Sequence, residues 1–498
     1  MARGKIAAKV GRAACPHAAE GGVLATKNTK NTKAMKPSGV AWLGDIPEGW
    51  EIMRLKAAFT YGKGLSITKA DLTATGVPVI SYGQIHSKDN SGTHLQDALL
   101  RYIPETFLET DSNCLLKEND FVFADTSEDL EGLGNCVFVD RDDSIFAGYH
   151  TIVFHPKCNA HFRYIAYLFK TDVWRGQFRA KAFGIKVYSL SQRLLNDCSI
   201  ILPPLPEQRA IADYLDEKCG AIDAAIAEAK KGIEEYKAWK KSLIFEAVTG
   251  KRRVGIFNAE KQSCREAEKM KHSGIPWIGE IPEGWRVMRL KHLIGILPGY
   301  AFKSEDFNFS NGIRLLRGIN VGVDSLRWDE CVYWDKVISE DLDRYQIQAG
   351  DLIVGLDRPW IEEGTRVCFA KKEDLPCLLV QRVCRIRTLG EMDLRIINYW
   401  LSSEAFERAL ACDTTGVSVP HISPYQIMEF RITLPSLPEQ RAIADYLDKK
   451  CAAIDAMVAE KEALIADLEA YKQSLIYEVV TGKKEPEAAA SGTRQEVA

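Results

Sequence analysis

The sequence predicts an α+β protein: two heads of mixed α/β structure joined by two long antiparallel coiled-coil helices, with a pseudo-twofold internal repeat. Three observations predict this. The chain of 498 residues is written twice. The best-repeated stretch has helical periodicity. The stretches between the repeats diverge and carry short β-like runs.

The first repeated element is an opening. Ile46-Pro47-Glu48-Gly49-Trp50 recurs as Ile281-Pro282-Glu283-Gly284-Trp285, and each copy runs into a Met-Arg-Leu-Lys stretch. Ser38–Asp45 likewise matches Ser273–Glu280. The second element is stronger. Leu205 through Asp216 recurs without change as Leu437 through Asp448, and the likeness continues without a gap to Lys251 and Lys483, with about two-thirds of positions identical. One inserted residue would rotate everything beyond it by about 100° on a helix, so gap-free repetition points to a helical face under constraint.

Both copies read as helices. Pro206 and Pro438 suit a first turn, and Glu207 and Glu439 sit near the positive end of the dipole. Apolar residues then fall four and three apart: Leu215, Cys219, Ile222, Ile226, Ala229, Ile233 and Tyr236, resuming at Leu243 and Ala247. The second copy has Leu447, Cys451, Ile454, Val458, Ile465, Leu468, Leu475 and Val479, interrupted by Lys461 and Lys472. This is the period of a coiled-coil seam. A narrow seam needs a partner, and the economical one is the other copy, packed antiparallel. Gly250 and Gly482 stand where a helix ends on a left-handed glycine.

The stretches between, 57–200 and 292–432, share little. Val77–Ile80, Asp120–Phe123, Asn135–Val139, Thr151–Phe154, Asp351–Val354 and Arg382–Ile386 read as strands, with helical patches near 161–180 and 393–411. The expected segments are therefore 1–37 as a disordered or mis-called extension, 38–202 as head one and 203–250 as spacer helix one. A linker at 251–272, head two at 273–434, spacer helix two at 435–482 and a disordered tail at 483–498 follow. Met35 is a candidate true start.

Chemistry-bearing motifs are missing. There is no Gly-x-x-x-x-Gly-Lys-Ser/Thr cradle for ATP and no Asn-Pro-Pro-aromatic motif for a flipped adenine. No His, Cys or carboxylate cluster has metal-ligand spacing. Thirteen scattered cysteines without Cys-x-x-Cys fit small buried thiols in a reducing compartment. No apolar run approaches the ~20 residues of a membrane span. The expectation is a cytoplasmic, non-catalytic binding protein without cofactors of its own. A net charge of −3 and a pI of about 6.4 do not advertise a nucleic-acid binder.

The repeated Leu-Pro-Glu-Gln-Arg-Ala-Ile-Ala-Asp-Tyr-Leu-Asp, the Ile-Pro-Glu-Gly-Trp openings and the alternation of divergent and repeated blocks resemble type I restriction–modification specificity (S) subunits. The resemblance runs from Ser38 to Lys484. It implies that each divergent block is a target-recognition domain reading half of a split site in double-stranded DNA. It also implies that the helices space the two and dock methyltransferase (M) subunits, two of them, joined by restriction (R) subunits. S-adenosylmethionine, ATP and magnesium would then be bound by those partners. Gly184–Ser191 and Gly416–Ser423 resemble the closing motif of the recognition domain, and Gly350-Asp351-Leu352-Ile353-Val354 a strand leading to a DNA-facing loop. In head one Asn119-Asp120 replaces Gly-Asp there. A helix of ~30 residues is about 45 Å long, against about 34 Å for a turn of B-DNA, so the helices would act as a ruler.

Charge is concentrated locally. Lys157, Arg163, Lys170, Arg175, Arg179, Lys181, Lys186 and Arg193 face Asp172 alone, with Tyr164, Tyr167, Phe178, Phe183 and Tyr188 interleaved. Either a DNA face or a solvated helix over core aromatics fits that pattern. Arg314, Arg317, Arg358, Arg366, Arg382, Arg385 and Arg387 offer the same in head two. The candidate DNA-binding residues are Lys63, Tyr82, Gln84, Arg175, Arg179, Lys181, Lys186, Tyr188, Ser189, Lys303, Arg314, Arg317, Asn320, Arg358, Ser418 and His421. The candidate methyltransferase contacts are Glu207, Gln208, Arg209, Glu439, Gln440 and Arg441. Two other readings stay open: a bipartite DNA reader of another restriction–modification type, and a coiled-coil scaffold with protein-binding heads.

Overall fold

The computed structural model describes residues 34–40, 42–182, 187–254, 269–361, 364–390, 392–411 and 420–486. The chain forms two units, Met1–Asp223 with Glu469–Ala498, and Ala224–Leu468. The division falls inside both long helices, Leu205–Val248 and Leu437–Val480, rather than at their ends. Each unit therefore holds one head and a part of both helices. Of the expected extension 1–37, linker 251–272 and tail 483–498, residues 1–33, 255–268 and 487–498 lie outside the described residues. The end of the extension and the end of the linker are ordered parts of the heads instead: Met35–Pro37 pairs antiparallel with Asp45–Pro47, and Met270–His272 with Glu280–Pro282.

In the first unit, Glu51–Arg54 pairs antiparallel with Ser199–Leu202, so the chain enters and leaves the head side by side. The core is a four-stranded antiparallel sheet in the order Phe59–Lys63, Thr151–Pro156, Phe121–Ala124, Cys136–Phe138. Every residue of Phe121–Ala124 is buried, as expected of a central strand with both faces covered. Helices Phe162–Phe169 and Asp172–Arg179 pack on it. Phe121, Phe123 and Trp174 meet Phe169 with ring centroids 5.0, 5.3 and 4.2 Å away. A smaller sheet sets Val77–Ile80 between Phe146–Ala147, parallel, and Arg101–Ile103, antiparallel.

The second unit repeats this plan from a different sequence. Arg286–Arg289 pairs with Arg431–Leu434. The main sheet runs Ile294–Pro298, Val383–Thr388, Leu352–Gly355, Val367–Phe369, and the smaller one Tyr333–Trp334, Ile313–Leu316, Cys377–Leu379. The strands read from sequence are thus present, displaced by a residue or two at their ends.

The helix pairing is visible inside each unit. In the first, Lys472 Nζ lies 2.6 Å from both carboxylate oxygens of Asp223. In the second, Lys240 Nζ lies 2.8 Å from both oxygens of Asp455. These are the same two repeat positions with the helices exchanged. Lys472, which interrupts the apolar seam, is there because it forms a half-buried ion pair. The hydrogen bond from Lys240 to Asp455 outweighs the cost of burial and lifts that ammonium above its ordinary range. Lys461, the other interruption, lays its stem across Gly232 and its ammonium 5.9 Å from the Tyr236 ring. Leu215, Cys219, Ile222, Ile226, Ala229, Ile233, Leu447, Cys451 and Ile454 are buried as the seam requires.

Both helices end on a left-handed glycine, Gly250 at φ 78° and Gly482 at φ 73°. Each is pressed against a repeated opening. A Cβ on Gly250 would stand 2.6 Å from Pro282 Cδ, and one on Gly482 2.7 Å from Pro47 Cδ. Below about 3 Å no side chain fits without moving the proline. The repeated Pro-Glu-Gly-Trp is therefore the seat for a helix end.

Two glycines should answer oppositely to the same change. Gly250→Ala combines a left-handed backbone with a clash and should cost about 1–3 kcal/mol. Gly220 lies in the helix with open space around its Cβ position, so Gly220→Ala should gain about 0.5–1 kcal/mol. Urea unfolding of both variants checks this; equal effects would contradict the docking of the helix end.

Candidate nucleic-acid interface

In each head the central strand runs out of the sheet into a polar loop: Asp125–Ser127 after Phe121–Ala124, and Leu356–Arg358 after Leu352–Gly355. Two features hold this loop in both heads. The neighbouring strand starts after a residue of positive φ, His150 at 57° or Arg382 at 67°, whose carbonyl accepts from Asp125 N at 3.1 Å or Leu356 N at 2.9 Å. The segment that closes the divergent block then returns to it. Leu190 N donates to Asp125 O at 2.7 Å, and Ile422 N to Leu356 O at 2.9 Å. Tyr188 and Ser189 pair with Ser127 and Thr126, as His421 pairs with Asp357.

The frame is shared, but the side chains on it differ. In head one Tyr82 has the rings of Tyr149, His150 and His86 around it at 5.5, 5.6 and 6.3 Å. His150 Nδ1 stands 3.2 Å from Asp125 Oδ1. Behind the loop runs a relay. Arg175 donates to Asn135 Oδ1 at 2.8 Å, Asn135 Nδ2 lies 3.3 Å from His86 Nδ1, and His86 Nε2 lies 2.8 Å from the Thr126 carbonyl. A carbonyl only accepts, so Nε2 carries the hydrogen and Nδ1 accepts from the amide.

In head two Asp357 is the hub. Its Oδ2 accepts from Arg382 Nη1 at 2.6 Å and its Oδ1 from His421 Nδ1 at 2.7 Å. Burial opposes ionisation, but these hydrogen bonds outweigh it and hold the Asp357 carboxyl below its ordinary range. Its backbone carbonyl accepts from Arg366 Nη1 at 3.0 Å, while Arg366 Nε donates to Val321 O at 2.7 Å. Arg366 thus does in head two what His86 does in head one. Arg358 is exposed, at φ 43°.

The residues chosen from sequence divide accordingly. Tyr82, Tyr188, Ser189, Arg358 and His421 meet at these loops. Lys63 is exposed at the end of its strand, in register with Ile152. Gln84 has its carbonyl occupied by Ser81 N at 3.1 Å, and Asn320 does the same for Arg317 N at 3.1 Å while its amide serves two more carbonyls.

Several candidates turn inward, contrary to expectation. Arg175 also serves Phe169 O at 3.0 Å, and burial pulls its pKa below the usual range. Arg179 spends its guanidinium on Asp172 at 2.7 Å and on the carbonyls of Leu133 and Glu131. Arg314 donates to Glu373 O at 2.7 Å and Leu375 O at 3.1 Å and stacks 4.5 Å over Trp328. Arg317 donates to Glu330 O at 2.8 Å. Arg385 serves Arg344 O and Gln346 O, and Arg387 binds Asp351. Lys181 and Lys303 are exposed, 3.8 Å from Asp197 and Glu305. Lys186 and Ser418 lie outside the described residues. The interleaved aromatics Tyr164 and Phe178 are core residues.

At the helix starts, Gln208 and Gln440 are buried. Each ties its helix to its head, accepting from His161 N at 2.8 Å or Asp393 N at 3.1 Å and donating to Pro203 O or Pro435 O. Glu207 accepts from Trp50 Nε1 at 2.9 Å, and Glu439 accepts from Ser436 at 2.8 Å. Only Arg209 and Arg441 of this set are exposed. Sequence reasoning missed His86, Asp125, Asn135, His150 and Asp357. Asn119, a departure from Gly-Asp, adopts φ 73° beside 90° for Gly350, so the turn is preserved.

The profile of the family described as type I restriction modification DNA specificity domain matches residues 47–234 and again 282–465. The type I restriction enzyme MjaVIII specificity subunit of Methanocaldococcus jannaschii is 29% identical over 319 residues, 64% of this chain and 69% of its own. The putative MjaX specificity subunit of the same organism is 24% identical over 452 residues, 89% and 95% of the two chains. A solved structure from work on complex assembly and conformational transition of the type I R-M system aligns over 88% of this chain and 99% of its own. Its TM-score is 0.61 at 17% identity, which is a likeness of fold.

Arg175→Ala breaks the relay behind the Thr126 carbonyl and should cost about 2 kcal/mol. A lower unfolding midpoint with a native far-UV spectrum is expected; wild-type stability would contradict the positioning role.

Proposed function

The chain belongs to the type I restriction–modification DNA specificity family, and from that premise we propose that it is the sequence-reading subunit of such a complex. Each head takes one half of a split duplex target. Partner methyltransferase subunits then modify an adenine in each half, and restriction subunits act on unmodified DNA with ATP. S-adenosylmethionine, ATP and magnesium belong to those partners, and the chain itself catalyses nothing. It works in the cytoplasm, where its DNA is. The observation that carries this reading is a loop frame repeated in two heads that present different side chains: aromatic and histidine in one, arginine, aspartate and histidine in the other. Two readers for different sequences need that combination.

Two copies of one docking surface in a single chain suit two methyltransferase subunits. Arg209 and Arg441 are exposed at the same position of the repeat. Trp239 and Tyr471, also equivalent, are 44% and 53% exposed on the helices. Exposed aromatic and arginine side chains are the usual anchors of protein interfaces.

Purification of the tagged chain from its own cells tests the reading. An adenine methyltransferase subunit should accompany it at about twice its amount, together with salt-sensitive duplex binding. Arg209→Glu or Arg441→Glu alone should roughly halve the methyltransferase recovered, and the double variant should lose it. A chain recovered alone, without duplex binding, would favour a protein-binding scaffold.

A further inference from the structure

We propose that Arg382 reads a guanine in the half-site taken by head two, its guanidinium aimed by Asp357 and the pair braced by His421. This rests on the DNA-reading function proposed above and names what one side chain recognises.

The arginines that the sequence offers in head two differ in how deeply they are set and in what they bond. Arg314, Arg317, Arg366, Arg385 and Arg387 are half-buried and each donates to protein carbonyls or to Asp351. Arg382 gives one Nη1 hydrogen to Asp357 and is 65% exposed. Its Nε–Nη2 edge has no acceptor among the described residues. That edge offers two parallel N–H groups. Guanine presents two adjacent acceptors, O6 and N7, to the major groove, and arginine meets them bidentately.

A phosphate is the poorer match. Asp357 remains ionised and offsets most of the charge on Arg382, which weakens attraction to the backbone. What the carboxylate provides is direction. Both of its oxygens are engaged, by Arg382 at 2.6 Å and His421 at 2.7 Å, so the fork is held from behind. Arg358, exposed and without a carboxylate partner among the described residues, is the phosphate contact by contrast.

The backbone supports the same assignment. Arg382 holds φ at 67°, a conformation that side-chain-bearing residues keep mainly where it is used. His150 occupies the same place in head one at φ 57°, beside its own aspartate, Asp125. One position, strained alike in both heads, carries a different polar side chain in each. That is what two heads with different half-sites require.

The test uses the full chain with its partner subunits and duplexes in which each base pair of head two's half-site is replaced in turn. The wild type should lose about 10- to 100-fold in affinity when one particular G·C pair is changed. It should lose a similar factor when that guanine becomes 7-deazaguanine, which lacks the N7 acceptor. Arg382→Ala should bind guanine, 7-deazaguanine and the other bases there equally, with an unchanged salt slope. Arg382→Lys should fail in the same way, because an ammonium is not a fork. Asp357→Asn, which removes the charge and leaves the shape, should weaken discrimination at that one pair and serves if the alanine variant does not fold. Arg358→Ala should lower affinity for every sequence and reduce the salt slope by about one. If Arg382→Ala keeps every base preference, or weakens all duplexes equally with a smaller slope, the guanine assignment is overturned. A wild-type complex with no sequence preference at all would overturn the DNA-reading function as well.

Discussion

Everything in this protein depends on the register of its two long helices. The constraint is the ion pair between the helices, made twice at the same repeat positions: Lys472 with Asp223, and Lys240 with Asp455. A charge this close to an apolar seam is costly unless its partner meets it, so these two pairs favour one register. Slipping a helix by one residue would turn its seam by about 100° and leave a half-buried lysine unpaired. This explains why the repeat tolerates many substitutions but no insertion. It also explains the repeated openings, since Pro47 and Pro282 are the seats on which Gly482 and Gly250 come to rest.

Against that fixed part, the heads are built to vary. Two sheets with the same strand order and little common sequence deliver a loop held by the same backbone hydrogen bonds. Its carbonyl is held by His86 in one head and by Arg366 in the other, so the frame needs a half-buried donor and not a particular residue. The side chains in front of the frame are then free to change. Overall charge says little about such a molecule. The acidic groups of the helices and the inward-facing arginines both enter the total, and neither bears on the few exposed donors at the loops.

Much of this was legible in the sequence. The duplicated motif, the seam, the glycine ends and most strands followed from spacing alone. What misled was the direction of individual side chains. Arg314 looks like a DNA contact until Glu373 and Leu375, about sixty residues on, supply its acceptors. Gln208 lies in the best-repeated motif and looks like a docking residue, but it is buried against the backbone of its own head. Repetition reports a constraint without saying whether a partner or the fold imposes it. His150 and Asp357 had no local signature at all. Their significance is a positive φ and a carboxylate brought close only by the sheet. Lysines in the seam were the most useful anomaly, because each marks a place where the helices contact each other.

The central claim is that one chain carries two readers of different half-sites. The most direct measurement is selection from randomised duplexes by the complete complex. The account predicts two short blocks of defined bases, unlike each other, separated by an indifferent gap of constant length. A single contiguous block, or a gap whose length varies among the selected duplexes, would contradict it.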